Sequence, residues 1–148
     1  MHKFRELLKE ERNYSLVWYH GDSKEICEDI VENGITFTNT IGRNKWGSGF
    51  YCTTLKDVKG NYDRGGILKI TLKNLDNILI GETDSLIFHH FGKKAYGYFE
   101  RGDTDELGET INNWLQKHKK INGILYEDQN ILLLINSKNI SKIENASL

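Results

Sequence analysis

The segment Trp46-Gly47-Ser48-Gly49-Phe50-Tyr51-Cys52-Thr53-Thr54 constrains the fold of this chain more than any other. Two glycines flank a serine, and without a Cβ each lets the backbone turn sharply or approach a neighbour closely. From Phe50 to Thr53 the residues are aromatic, small or β-branched, as in a strand. Successive side chains of a strand point to opposite faces, so Phe50 and Tyr51 must diverge: one ring enters a core and the other can meet a ligand. In the plainer reading, Gly47 and Gly49 form a loop and Tyr51 is a half-buried sheet residue. The flanking sequence decides between the two.

Upstream, residues 1–11 place Phe4, Leu7 and Leu8 at helical spacing, and residues 15–20 read as a buried strand ending at His20-Gly21. Asp22 with Glu25 forms a capping box. The helix it starts should turn Ile26, Cys27, Ile30 and Val31 inward and stop at Asn33-Gly34. Residues 35–38 suit a short strand, and the polar stretch 39–47, with Arg43 and Lys45, a loop. Downstream, Thr54 and Asp57 cap a short helix reaching Tyr62, Gly65-Gly66 breaks the chain, and strands are expected over 67–72 and 78–80. A helix over 84–91 buries Leu86, Ile87 and Phe91 and closes at Gly92, while residues 93–103 carry no decisive pattern. The strongest helical pattern spans 105–118, with Leu107, Ile111, Trp114, Leu115 and His118 on one face. Glu100, Asp103, Asp105 and Glu106 lie near its start, where negative charge favours the helix dipole. Strands over 122–126 and 131–135 flank the polar turn Glu127-Asp128-Gln129-Asn130, and a last strand covers 140–143. No repeat or linker divides the chain, so its 148 residues are expected to form one domain.

The net charge of −1 lacks the basic excess of a broad nucleic-acid footprint. Cys27 and Cys52 sit in unlike contexts without metal-ligand spacing, which argues against a zinc site or a disulfide framework. His89-His90 invites a metal assignment, but adjacent histidines on a helix point apart and no third ligand is nearby. No run approaches the roughly 18 apolar residues of a membrane span. The charged N-terminus lacks a signal-peptide core, so a cytoplasmic protein, or an effector exported without a recognisable signal, is expected.

Three features, taken together, resemble the ADP-ribosyltransferase superfamily in its diphtheria-toxin and poly(ADP-ribose) polymerase branch. They are the strand ending in Trp18-Tyr19-His20-Gly21, the Gly47-Ser48-Gly49-Phe50-Tyr51 element, and Tyr62 eleven residues beyond Tyr51. The resemblance covers residues 16–62 closely and 122–143 more loosely. It implies an α/β (α+β) fold: a split, mostly antiparallel sheet with flanking helices. It also implies NAD as co-substrate, in a cleft between the strand ending at His20 and the strand carrying Tyr51. By resemblance, His20 holds the adenosine ribose hydroxyl and the backbone of Gly21 the carboxamide. Tyr51 and Tyr62 sandwich the nicotinamide by aromatic stacking. Gly49 belongs to the same cofactor-binding set, and Arg43 is placed on the donor-side loop to contact the pyrophosphate.

The third motif departs from the family. Anchoring the late strand on Asn136 and Ile140 puts Ile131 in the slot of the catalytic glutamate, with Asn130 just before it. A shift of one residue in the turn offers Asn130 instead, with Gln129 next. Glu127 and Asp128 are the nearest carboxylates, but they belong to the turn and are expected to be solvated. The resemblance therefore implies a mono-ADP-ribosyltransferase acting on a protein or other macromolecule, with His20, Tyr51, Ile131 and Asn130 as the catalytic set. Chain extension to poly(ADP-ribose) needs the glutamate. A non-catalytic module binding NAD or ADP-ribose is the alternative. The small domain and the Lys-, Asn- and Ile-rich, AT-biased composition suit a bacterial or phage effector or toxin.

Overall fold

Ile131-Leu132-Leu133-Leu134 has no polar face, so a strand made from it must be covered on both sides. The computed structural model describes residues 14–37, 46–61 and 64–147. Its elements, in order, are β1 (Val17–Asp22), α1 (Lys24–Asn33), β2 (Phe50–Thr53), α2 (Leu55–Asn61), β3 (Gly66–Leu72), β4 (Ile78–Gly81), α3 (Thr83–Leu86), a π-helical turn (Ile87–Phe91), α4 (Lys93–Arg101), α5 (Thr104–Lys117), β5 (Gly123–Tyr126), a 3-10 turn (Glu127–Gln129), β6 (Ile131–Leu134) and β7 (Ile140–Asn145). The strands form one mixed sheet in the order β4-β5-β6-β2-β1-β3-β7. Every neighbouring pair is antiparallel except β4–β5.

The sheet divides two cores. On one face Trp18, Phe50, Cys52, Leu68, Ile70, Leu132 and Leu134 pack with Cys27 and Ile30 of α1. On the other, Ile124, Tyr126 and Leu133 meet Leu86, Ile87, Phe91, Ala95, Leu107, Ile111 and Leu115 from the helical layer. Both cysteines are free and buried, and burial raises the Cys52 thiol pKa. Leu132, Leu133 and Leu134 are all fully buried, which explains the unbroken apolar run. The strand expectations for 67–72, 78–80, 122–126, 131–135 and 140–143 correspond to β3, β4, β5, β6 and β7.

Several local expectations are revised. β1 runs on through Gly21 to Asp22 because β3 pairs it that far, Asp22 opposite Gly66. The N-cap of α1 is Ser23, whose Oγ accepts from Ile26 N–H at 3.2 Å, and not Asp22. Ile26 and Val31 are exposed, and only Cys27 and Ile30 of that helix reach the core. Residues 35–37 form no strand, and residue 38 lies outside the described residues, as does the 1–11 helix. The 84–91 helix is a short α-helix continued by a π turn, and Lys93–Arg101, undecided from sequence, is helical. Trp114 of α5 is half-buried and packs edge-on to Phe91 at 5.1 Å, at the margin of the core, while His118 just beyond the helix is exposed. The two rings also stack on each other at 3.8 Å. Asp103, the N-cap of α5, makes no side-chain cap bond and pairs with Arg101 at 3.1 Å.

Gly49 is one of the positions where the fold leaves least room. A Cβ there would stand 2.6 Å from Leu134 O and 2.6 Å from Leu133 Cδ1. Gly34 has φ +86 with nothing within 4 Å of a Cβ, so alanine there meets backbone strain alone. Gly49→Ala should therefore cost about 3 kcal/mol and Gly34→Ala about 1 kcal/mol. Urea unfolding of the two variants checks this: equal losses would remove the close-approach explanation.

Candidate functional site

β1 lies between β2 and β3 but is bound to them unequally. With β3 it registers from Val17–Thr71 to Asp22–Gly66, and with β2 through the single pair Tyr19–Thr53. Leu72 N–H donates to Leu16 O, so by antiparallel alternation the even-numbered residues of β1 turn their backbone groups to β3. Tyr19 and Gly21 turn theirs toward β2, and Gly21 lies past the last registered pair. There the imidazole of His20 takes over. Its Nδ1 lies 2.6 Å from Tyr51 O, and because a carbonyl only accepts, Nδ1 carries the proton in this contact. Nε2 is 3.3 Å from Asp22 Oδ2, and the ring stacks on Phe50 with centroids 4.1 Å apart. His20, Gly21 and the backbone of Tyr51 thus meet at one opened seam.

The side chains of His20 and Tyr51 leave that seam on opposite faces. His20 lies with Phe50 on the α1 side, whereas Tyr51 packs on the helical layer with Leu133 and Ile131. The Tyr51 hydroxyl donates to Gly47 O. Tyr126, fully buried, donates its hydroxyl to Trp46 O at 2.9 Å. Ser48 N–H donates to Asn112 Oδ1 at 2.6 Å, and Asn112 Nδ2 donates to Ser48 Oγ at 3.0 Å. The segment 46–49 is therefore held down by two phenols from the sheet and one amide from α5. Burial raises the pKa of both Tyr51 and Tyr126, so both remain protonated donors at neutral pH. Gly49 faces β6, so its missing side chain makes room for protein.

Asn130 and Ile131 stand beside Thr53. Asn130 occupies the left-handed region at φ 53, and its carbonyl accepts from Thr53 Oγ1 at 2.7 Å. Ile131 opens β6 opposite Thr53, on the Tyr51 face. The turn carboxylate Asp128 is not merely solvated. Its Oδ1 accepts both Thr83 N–H and Thr83 Oγ1 at 2.8 Å, capping α3 from 45 residues away. Burial opposes ionisation of Asp128, but its hydrogen bonds, those to Thr83 foremost, together hold the carboxyl below its ordinary value.

Arg43 and Tyr62 lie outside the described residues. Among the described residues, no group of three or more His, Cys, Asp or Glu could hold a metal ion, and no helix is long and apolar enough to cross a membrane. A shallow depression of about 370 Å³ beside Ser48 is lined by Asn112, Gln116, Lys119 and Asn136. Two of its amides are already engaged: Asn112 with Ser48, and Asn136 with Asn122 and Lys138. Sequence reasoning missed Asn112, Tyr126 and the Asp128–Thr83 cap, all of them long-range contacts without a local signal. Compared with protein-family models, curated proteins and solved structures, the chain matches none.

The Asp128 cap has a pH signature. A carboxyl held low in the folded state contributes stability above its unfolded value, about 3.9, and loses it as pH falls through the folded value. Asp128→Ala should cost about 1 kcal/mol at neutral pH. Asp128→Asn should lose less stability than wild type between pH 5 and pH 3 (about the carboxyl range). Urea midpoints across that range test it, and parallel wild-type and Asp128→Asn curves would count against the cap.

Proposed function

We propose that this chain is an NAD-dependent mono-ADP-ribosyltransferase of the ADP-ribosyltransferase type, modifying a macromolecular target. The observation that carries the reading is the opened seam between β1 and β2, with His20 and Gly21 on one side and Tyr51 on the other. A carboxamide has one donor and one acceptor edge, and the backbone of Gly21 turns the matching pair toward the seam. Nicotinamide seated there would take the place of the next ladder pair. Its ring would lie against Tyr51, with Tyr62 as the second face of the sandwich. His20 would present Nε2, now in a long contact with Asp22, to a ribose hydroxyl. The split sheet expected for this family corresponds in this reading to the same seam.

Transfer breaks the bond between nicotinamide N1 and ribose C1′, and the electron pair neutralises the pyridinium. The acceptor's nucleophile bonds to C1′ and gives up its proton. The site contributes by orienting the bond and excluding water. No carboxylate heads β6, where Ile131 stands, and Asp128 is engaged with Thr83. Charge stabilisation at the ribose would therefore come from an acid on the acceptor, which favours single transfers over chain growth. The same observation favours the second reading, a module that binds NAD or ADP-ribose without turnover. An effector or toxin encoded by a bacterium or phage is the setting this activity suits.

Incubation with labelled NAD and a cell lysate tests the proposal: the expected result is nicotinamide release and a labelled macromolecule. Thermal stabilisation by NAD without release would select the binding module, and no stabilisation would remove both readings. Tyr51→Ala and Tyr62→Ala should each weaken NAD binding by about 1–3 kcal/mol, by analogy with bases stacked on aromatic side chains, and the double variant should be non-additive. Calorimetric titration decides this, and unchanged affinity in both single variants would dismiss the sandwich.

A further inference from the structure

The segment that carries Gly47 and Gly49 is tied to the helical layer by one side chain. Asn112, 64 residues away on α5, takes the Ser48 N–H on Oδ1 at 2.6 Å and gives an Nδ2 hydrogen to Ser48 Oγ at 3.0 Å. An amide suits this task because a single planar group offers an acceptor and a donor side by side. The residue before Ser48 is Gly47, whose carbonyl receives the Tyr51 hydroxyl. Gly47 sits at φ +104, and a Cβ there would meet Ile111 Cγ2 at 3.0 Å and Leu133 Cδ2 at 3.2 Å, so its backbone is wedged between α5 and β6. A continuous path runs from Asn112 through Ser48 and Gly47 to the phenol of Tyr51.

We propose that Asn112 is a positioning residue for Tyr51: it fixes the Gly47 carbonyl that anchors the phenol, and so sets the angle at which the ring meets nicotinamide. The inference rests on the proposed role of Tyr51 in NAD binding. A tyrosine fixed only at Cα can swing about χ1, and one also tethered at its hydroxyl cannot. Asn112 is half-buried, and α5 is held in the core by Leu107, Ile111 and Leu115. Removing the amide should therefore spare the fold and release the ring. The clamp also gives the hydroxyl of Tyr51 a role of its own, so Tyr51→Phe is not a silent change.

The test uses the full chain with Asn112→Leu, which matches the branching of asparagine but cannot hydrogen-bond, and Asn112→Asp, which keeps the acceptor for Ser48 N–H. Each is made alone and with Tyr51→Phe. Asn112→Leu should bind NAD about tenfold more weakly, and Asn112→Asp should recover most of that loss. In the Tyr51→Phe background, where the path is already cut, Asn112→Leu should add less than about twofold. The NMR signals of the Tyr51 ring, read without NAD, should show one environment in wild type and Asn112→Asp and exchange broadening in Asn112→Leu. Wild-type affinity in Asn112→Leu, or a full additive loss that follows thermal stability in both backgrounds, overturns the proposal. If wild type does not bind NAD, the proposed function fails by itself. The ring signals still decide whether Asn112 positions Tyr51, and unchanged signals in Asn112→Leu reject it.

Discussion

Contact between the backbone of residues 46–49 and the helix-facing side of β6 is the constraint on which the rest of the site depends. Gly47 and Gly49 both press on Leu133, and Gly49 also approaches the Leu134 carbonyl. Such contact is possible only without side chains, and it is rigid because the neighbouring surface is a fully buried strand and not a loop. Once the segment lies flush, its carbonyls come within reach of two phenols, and Ser48 within reach of α5. The helical layer and the sheet are thereby linked through the strand that carries Tyr51.

The two halves of the candidate site obey different parts of β-sheet geometry. His20 and Tyr51 meet through backbone at the seam, yet alternation sends their side chains to opposite faces. A ligand touching both residues must therefore lie across the open edge between β1 and β2. The seam also explains the imidazole position. Beyond Tyr19–Thr53, β2 has no registered partner on β1, and the Tyr51 carbonyl takes its hydrogen bond from a ring in place of a backbone amide.

Much of the fold was legible because its signals are local. β2, β3 and β6 follow from residue type and from the glycines and polar turn around them, and α5 from its apolar spacing. The misreadings are cases in which tertiary context overrode a local pattern. Ile26 and Val31 have the right spacing for an inward face, but α1 covers the sheet with a stripe only wide enough for Cys27 and Ile30. The α5 stripe ends at Trp114, which packs on Phe91, while His118 just past the helix is exposed and stacks on Trp114. His20, Gly21 and Tyr51, singled out from short motifs on two strands, do lie together at one backbone seam. Asn112 and the Asp128–Thr83 cap could not be read from sequence, since an Asn on a helix and an Asp in a turn look alike whether solvated or engaged 64 and 45 residues away.

The head of β6 shows why an acid is hard to accommodate there in this chain. Ile131 lies opposite Thr53 on one side and Tyr126 on the other, packed against the helix-side core. A carboxylate at that position would lose water and need donors in return. The Thr53 hydroxyl is committed to the Asn130 carbonyl, and the Tyr126 phenol to Trp46 O. The nearby turn has invested its own carboxylate in Thr83, where it starts α3 and supports the helical layer that holds Ser48. An isoleucine at this point follows from the same packing that fixes Tyr51. The ring of Tyr51 is thus pinned through the helical layer, while the head of β6 carries no carboxylate of its own.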